Sequence, residues 1–214
     1  MARPRTPLLN RSLIRDTTLA LVDEYGLAAV SMRRIAAELD VRAPSLYSHY
    51  ANKDELFDDI ADGIAATVDV SGFEGEDWQE GLRIWARSYR AALAVHPNLV
   101  PFLASSPRQR PTALHHADAV HGGLTRAGWP PRAATLIGAS IKYIVIGSAI
   151  TSFAGSFDHH AETYSTRYPH LSQAHRLREY AAEIDVDSFE LLLESFLRGL
   201  EDEYPGMPEI PAHG

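Results

Sequence analysis

Residues Gly26 to Leu56 read GLAAVSMRRIAAELDVRAPSLYSHYANKDEL, a stretch in which helix starts and stops follow one another at short intervals. Ser31 is a good N-cap, and Met32, Ile35, Ala36 and Leu39 fall at i, i+3, i+4 and i+7, the spacing of one buried helix face. This predicts a short helix ending near Asp40. After the turn Asp40-Val41-Arg42-Ala43, Pro44 suits a first helical position because its missing N–H is not needed there, and a further helix runs to about Tyr50. Leu46 and Tyr50, at i and i+4, share its buried side and leave Ser45, Tyr47, Ser48 and His49 toward its flanks and outer face. Asn52 with Glu55 three residues on makes a capping-box start, and Leu56, Phe57, Ile60, Ala61 and Ile64 carry the stripe of the next helix. Upstream, Leu13, Thr17, Ala20 and Leu21 stripe a helix from about Asn10 to Tyr25, which Gly26 stops. Two short helices joined by a tight turn have the proportions of a helix-turn-helix.

Further along, Val70 to Asp77 (VSGFEGED) breaks the periodicity and predicts a boundary between a domain of residues 1–70 and one of residues 71–214. Beyond it the chain again reads as helices, with no period-two strand pattern. Trp78 to Val95 carries Trp85, Tyr89 and Leu93 on one side; Leu99 to Ala104 is a short helix and Ser105 to Pro111 a loop. Thr112 to Ala127 is stopped by Gly128, and Pro131 to about Phe153 is strongly apolar. Phe157 to Ser172 reads as a loop with a turn of helix, and Asp187 to Tyr204 carries Phe189, Leu192, Leu193, Phe196 and Leu200 before Pro205 ends it. The tail GMPEIPAHG reads as disordered. The expected class is all-α: a three-helix helix-turn-helix domain followed by a helical bundle.

The chain has 214 residues, a net charge of −8, 45% hydrophobic residues and no cysteine, which excludes disulfides, thiolate metal sites and a cysteine nucleophile. Charge is unevenly spread. Residues 1–53 hold eight Lys or Arg against five Asp or Glu, a net of +3, which leaves −11 for the remainder. A basic front on an acidic body suits a polyanion-binding module. The apolar run Ala133 to Gly155 approaches membrane-spanning length, but Lys142 near its middle costs about 2.5–3.5 kcal/mol in a bilayer. It is read as a buried or interfacial helix, with no membrane partner. The opening MARPRTPLLNRS shows no secretory h-region, so a cytoplasmic protein is expected.

No H-E-x-x-H, G-x-S-x-G, P-loop or dinucleotide fingerprint occurs, and no enzyme is expected. Asp158-His159-His160 and His115-His116 are adjacent in sequence, and neighbours in a helix point about 100° apart; without cysteine a zinc site would need three or four histidines or carboxylates brought together by folding, so neither a metal site nor a cofactor is expected.

The Gly26–Leu56 stretch resembles the DNA-binding domain of the tetracycline-repressor (TetR) family of transcriptional regulators. The likeness rests on the glycine after helix one, the hydroxyl residue opening helix two, its Ile-Ala-x-x-Leu core, Pro-Ser-Leu-Tyr-x-His-Tyr in helix three and Asn-Lys-Asp-Glu-Leu opening helix four. Tyr168-Pro169-His170-Leu171 and Asp187 to Glu201 are more loosely similar to the end of the tetracycline-repressor subclass of C-terminal domains. Asp40 departs from a usual glycine in the turn, and Ser48 from a common aromatic.

The resemblance implies a homodimer, formed through the Pro131–Phe153 and Asp187–Tyr204 helices (which read otherwise as internal core helices), that binds double-stranded DNA at a palindromic operator and is released by a small-molecule effector. It puts Arg42, Ala43, Pro44, Ser45, Tyr47, Ser48 and His49 at the DNA face, with Ser31, Arg33 and Lys53 at phosphates or flanking bases, and Arg3 and Arg5 as further charge contacts. Arg42 can pair bidentately with guanine, while Ala43 and Pro44 suit a thymine methyl. Tyr47 and His49 are read as backbone contacts or as cover for the core. Effector candidates are Trp85, Tyr89, Phe102, His121, Ile137 and Ile141, with Lys142 and His116 in addition; these positions read equally as plain core, and His121 as a satisfied core histidine. The alternative to a regulator is a ligand-sequestering protein whose DNA binding is vestigial.

Overall fold

The computed structural model describes residues 9–105, 110–165 and 168–203. They form α1 (Arg11–Tyr25), α2 (Met32–Glu38), α3 (Ala43–Leu46), α4 (Lys53–Ala65), α5 (Trp78–Val95), α6 (Val100–Ser105), α7 (Pro111–Arg126), α8 (Pro131–Ile150), α9 (Glu162–Ser165) and α10 (Ala181–Glu203). No strand occurs among the described residues, so the expected all-α class holds. Arg3, Arg5 and the tail from Gly206 onward lie outside them. The chain divides into two compact units, residues 1–67 with 95–114 and residues 68–94 with 115–214.

In the first unit the local signals are realised as side-chain caps. Asn10 Oδ1 accepts from Leu13 N at 2.9 Å, Ser31 Oγ from Arg34 N at 3.2 Å and Asn52 Oδ1 from Glu55 N at 2.8 Å. Glu55 Oε2 in turn accepts from Ala51 N at 2.7 Å, a reciprocal pair that fixes the start of α4. Gly26 ends α1 at φ +79°, and Asp40 turns the chain after α2 at φ +52°, a left-handed conformation that aspartate tolerates. The core beneath these helices is Ile14, Val22, Ile35, Leu46, Tyr50, Leu56, Phe57 and Ile60, all at most 3% exposed.

Residues 95–114 complete this unit. Asn98 Nδ2 donates to the carbonyls of Val22 and Asp23 at 3.1 and 2.9 Å, satisfying the open C-terminal end of α1, and His96 Nδ1 lies 2.8 Å from Asp23 Oδ2. Phe102 of α6 stacks on Phe57 with ring centroids 5.5 Å apart, and Arg110 Nη2 pairs with Asp58 Oδ1 at 3.0 Å.

In the second unit α5, α7, α8 and α10 enclose Phe73, Leu82, Trp85, Val120, Leu124, Trp129, Ile137, Ile141, Phe189, Leu193 and Leu197. Glycine is required where the helices close on Phe73: a Cβ on Gly81 or Gly123 would stand 2.8 or 2.6 Å from Phe73 Cδ1. Arg83 and Arg87, one turn apart on α5, face Glu190 and Glu194, one turn apart on α10. Arg83 Nε reaches Glu194 Oε1 at 3.0 Å, and Arg87 Nη2 reaches Glu190 Oε2 at 2.7 Å and Glu194 Oε1 at 3.1 Å. The Arg83 hydrogen bond holds the Glu194 carboxyl below its ordinary range.

Two helices differ from the sequence reading in length. α3 ends at Leu46 rather than near Tyr50: His49 N donates to Leu46 O, three residues back, at 2.9 Å rather than to Ser45 O, which accepts from Ser48 Oγ at 2.7 Å, and Tyr50 N also closes on Leu46 O at 3.0 Å. α10 begins at Ala181 rather than Asp187. Ala181 already holds helical angles (φ −55°, ψ −44°) as it leaves the 3-10 turn Ala174–Tyr180, and Ala181, Ala182 and Glu183 are strong helix formers that need no new cap.

Candidate nucleic-acid interface

The turn from Asp40 into α3 carries the side chains of interest. Leu46 and Tyr50 point inward, at 0% and 1% exposure, and anchor the element. Arg42, Pro44, Ser45 and Ser48 are exposed, Ala43 and His49 half-buried, and Tyr47 is 53% exposed, which sets aside the reading of Tyr47 as core cover. Ser31 and Arg33 are exposed at the start of α2. The amides at the start of α4 form a further anion-favouring helix end. These residues all belong to the first unit.

Lys53 is engaged within the protein. Its Nζ donates to Val30 O at 2.5 Å and to Leu27 O at 3.4 Å, and stands 5.1 Å from the centre of the Phe57 ring. An ammonium has three donors, so one N–H remains for an external anion.

Sequence reading missed the group that supports the recognition element from behind. Arg11, in the first turn of α1, donates from Nη1 to His49 O at 2.9 Å, lies 4.1 Å from the centre of the Tyr50 ring, and pairs with Glu55 and Asp59 at 3.4 and 3.6 Å. Tyr50 OH donates to Asp59 Oδ2 at 2.6 Å; burial, and then the neighbouring carboxylate, push the phenol above its ordinary range. No local pattern signals these contacts.

Five of the six effector candidates fall in the second unit. Trp85, Ile137 and Ile141 are buried, and Trp85 stacks near Tyr89 with centroids 6.4 Å apart. The Trp85 Nε1–H is buried and meets no acceptor among the described residues. His121 is half-buried with Nε2 3.1 Å from Pro131 O. Phe102 stands apart from these, in the first unit against Phe57. Of the two further candidates, His116 is buried and Lys142 exposed on α8.

A paired-helix reader with a polar outer face, carried on a chain with a second helical unit, defines a helix-turn-helix regulatory protein. The family model for bacterial regulatory proteins of the tetR family matches residues 14–60, and that for the tetracyclin repressor-like C-terminal domain matches residues 72–204. An HTH-type transcriptional regulator of Saccharopolyspora erythraea is 28% identical over 165 residues, 77% of this chain and 70% of the relative. The Escherichia coli tetracycline repressor protein class A from transposon 1721 is 30% identical over 155 residues, 72% and 71% of the two chains. Among solved structures, the Streptomyces coelicolor TetR family protein ActR in complex with actinorhodin aligns at a TM-score of 0.73 and 28% identity, over 91% of this chain and 96% of that one. The chain belongs to the tetracycline-repressor family, and with it to the ligand-responsive transcriptional regulators.

Proposed function

We propose that the protein is a cytoplasmic homodimeric repressor that reads a palindromic operator through residues 42–49 and leaves it when a small molecule occupies the second unit. The reading rests on the division of α3 and its flanks: Leu46 and Tyr50 are buried, while Arg42, Pro44, Ser45, Tyr47 and Ser48 are exposed. Arg42 supplies a bidentate partner for guanine, the Pro44 ring and Ala43 methyl suit a thymine methyl, and Ser31, Arg33 and Lys53 flank them at helix starts where phosphate is favoured.

The dimer is supported by α8. Ala134, Ile137, Ile141 and Val145 are buried within the chain, yet Leu136, Tyr143 and Ile150, at heptad spacing on another side, are 44%, 73% and 48% exposed. Leu191 and Leu192 of α10 are likewise exposed. Apolar helices with a free apolar seam are how a subunit interface is built.

Effector binding is supported by the aromatic and aliphatic set Trp85, Tyr89, Ile137 and Ile141 together with the Trp85 N–H, which meets no acceptor among the described residues and is a donor for an acceptor group on a ligand. Release follows if the ligand binds better to the conformation with displaced recognition elements. Relatives of this chain that are named as repressors support the sign of regulation.

Selection from a random duplex pool by the purified protein tests the reading. An enriched inverted repeat with half-site centres roughly 34–36 Å apart is expected; no enrichment by a dimeric protein would contradict it.

A further inference from the structure

We propose that Asp158, His159 and His160 form a surface site for an imidazole-preferring divalent transition-metal cation of the Zn²⁺, Ni²⁺ and Cu²⁺ class. The expectation of no metal rested on helical geometry, in which neighbouring side chains diverge. The three residues are not helical: they lie between the 3-10 turn Ala154–Ser156 and α9. One ligand atom from each comes within 4.8 Å of the other two.

The separations suit chelation. Asp158 Oδ1 is 2.6 Å from His160 Nδ1 and 3.8 Å from His159 Nδ1. Ligand atoms about 2.1 Å from an ion stand about 3.0–3.4 Å from one another at octahedral or tetrahedral angles, so the Asp158–His160 hydrogen bond would open slightly and side-chain rotations closing the wider separations by about 0.4–1.8 Å would seat all three. The two imidazole rings are in tilted contact, with centroids 4.1 Å apart and planes 36° apart, and the Nδ1 of each lies within 3.8 Å of the same carboxylate oxygen.

The backbone behind the ligands is already tied down. Asp158 Oδ1 accepts from His160 N at 2.9 Å, and Asp158 N donates to Tyr164 OH at 2.6 Å. Tyr164 is buried, and its ring packs 6.2 Å from that of Phe157, which in turn meets Phe153 at 5.1 Å. The three ligand side chains are about half to two-thirds exposed, which leaves the site open to an ion and its remaining waters. Two imidazoles with one carboxylate favour Zn²⁺, Ni²⁺ or Cu²⁺ over Mg²⁺ or Ca²⁺, whose preferred ligands are oxygens. This site does not depend on the DNA-binding reading.

Isothermal titration of tag-free, full-length protein with Ni²⁺, Zn²⁺ and Mg²⁺ tests the proposal. Expected are one Ni²⁺ or Zn²⁺ per chain, an affinity reduced at least tenfold in Asp158→Asn and in His160→Ala, an unchanged affinity in His115→Ala, and no heat from Mg²⁺. The absence of Ni²⁺ and Zn²⁺ binding, or binding that the Asp158 and His160 variants leave within a few-fold of the parent, would overturn it. All the substituted ligands are exposed, and far-ultraviolet circular dichroism of each variant keeps loss of binding separate from loss of fold.

Discussion

Arg11 and His49 are 38 residues apart in sequence, yet the Arg11 guanidinium donates to the His49 carbonyl at 2.9 Å. The contact joins the first turn of α1 to the turn just beyond α3, where the His49 and Tyr50 amides both close on Leu46 O. Because α3 spans only Ala43–Leu46, its downstream flank is held by this bond, by the inward Tyr50 ring and by the Tyr50–Asp59 hydrogen bond.

Arg11→Ala should therefore weaken operator binding about tenfold, equivalent to about 1.4 kcal/mol, through loss of positioning. Fluorescence anisotropy on a fixed operator gives the affinity. The salt dependence of binding should keep its slope, since Arg11 faces His49, Glu55 and Asp59. A reduced slope would make Arg11 a phosphate contact.

Lys53 combines two duties. Lys53→Ala removes the bonds to Val30 and Leu27 and should lower the melting temperature, while the loss of its remaining donor should weaken binding to all sequences alike and reduce the slope of log K against log salt by about 0.9. A lower melting temperature with an unchanged slope would leave Lys53 with its internal role alone.

At the proposed subunit interface, Tyr143→Glu places a charge on the most exposed residue of the α8 seam. Light scattering should report a dimer for the parent and a monomer for the variant at micromolar concentration. A dimeric variant would move the interface away from this side of α8.

Glu194 links pH to stability in the second unit. Its carboxyl is held low in the folded protein by Arg83, against about 4.3 in the unfolded chain. Such a depressed group contributes stability above the unfolded value and loses it as pH falls through the folded one. The melting temperature of Glu194→Gln should fall below that of the parent near pH 7, and the two curves should converge as pH drops below about 4. Parallel curves would show that the Arg83–Glu194 pair does not carry this pH dependence.

Much of the first unit is legible because its determinants are local. Asn10, Ser31 and Asn52 cap helices within three residues, and Leu46 and Tyr50 declare one buried side by spacing alone. The shortening of α3 is less visible, since it depends on which carbonyl the His49 amide reaches. The Arg11 support and the stacking of Phe102 on Phe57 join residues tens of positions apart, and no periodicity carries that information. The 158–160 cluster was obscured by its neighbours in sequence: adjacency is unfavourable to chelation on a helix, and only the backbone between α8 and α9 shows that the helix rule does not apply there.

The face led by Arg42 is the proposed reader of base identity. Parent and Arg42→Ala proteins should be titrated against the selected operator and against its single-base variants at fixed salt. Arg42→Ala is expected to cost about 1–3 kcal/mol and to abolish discrimination at one symmetric base-pair position per half-site, leaving preferences elsewhere intact. A uniform loss across every variant would contradict it and make Arg42 a contact to the phosphate backbone.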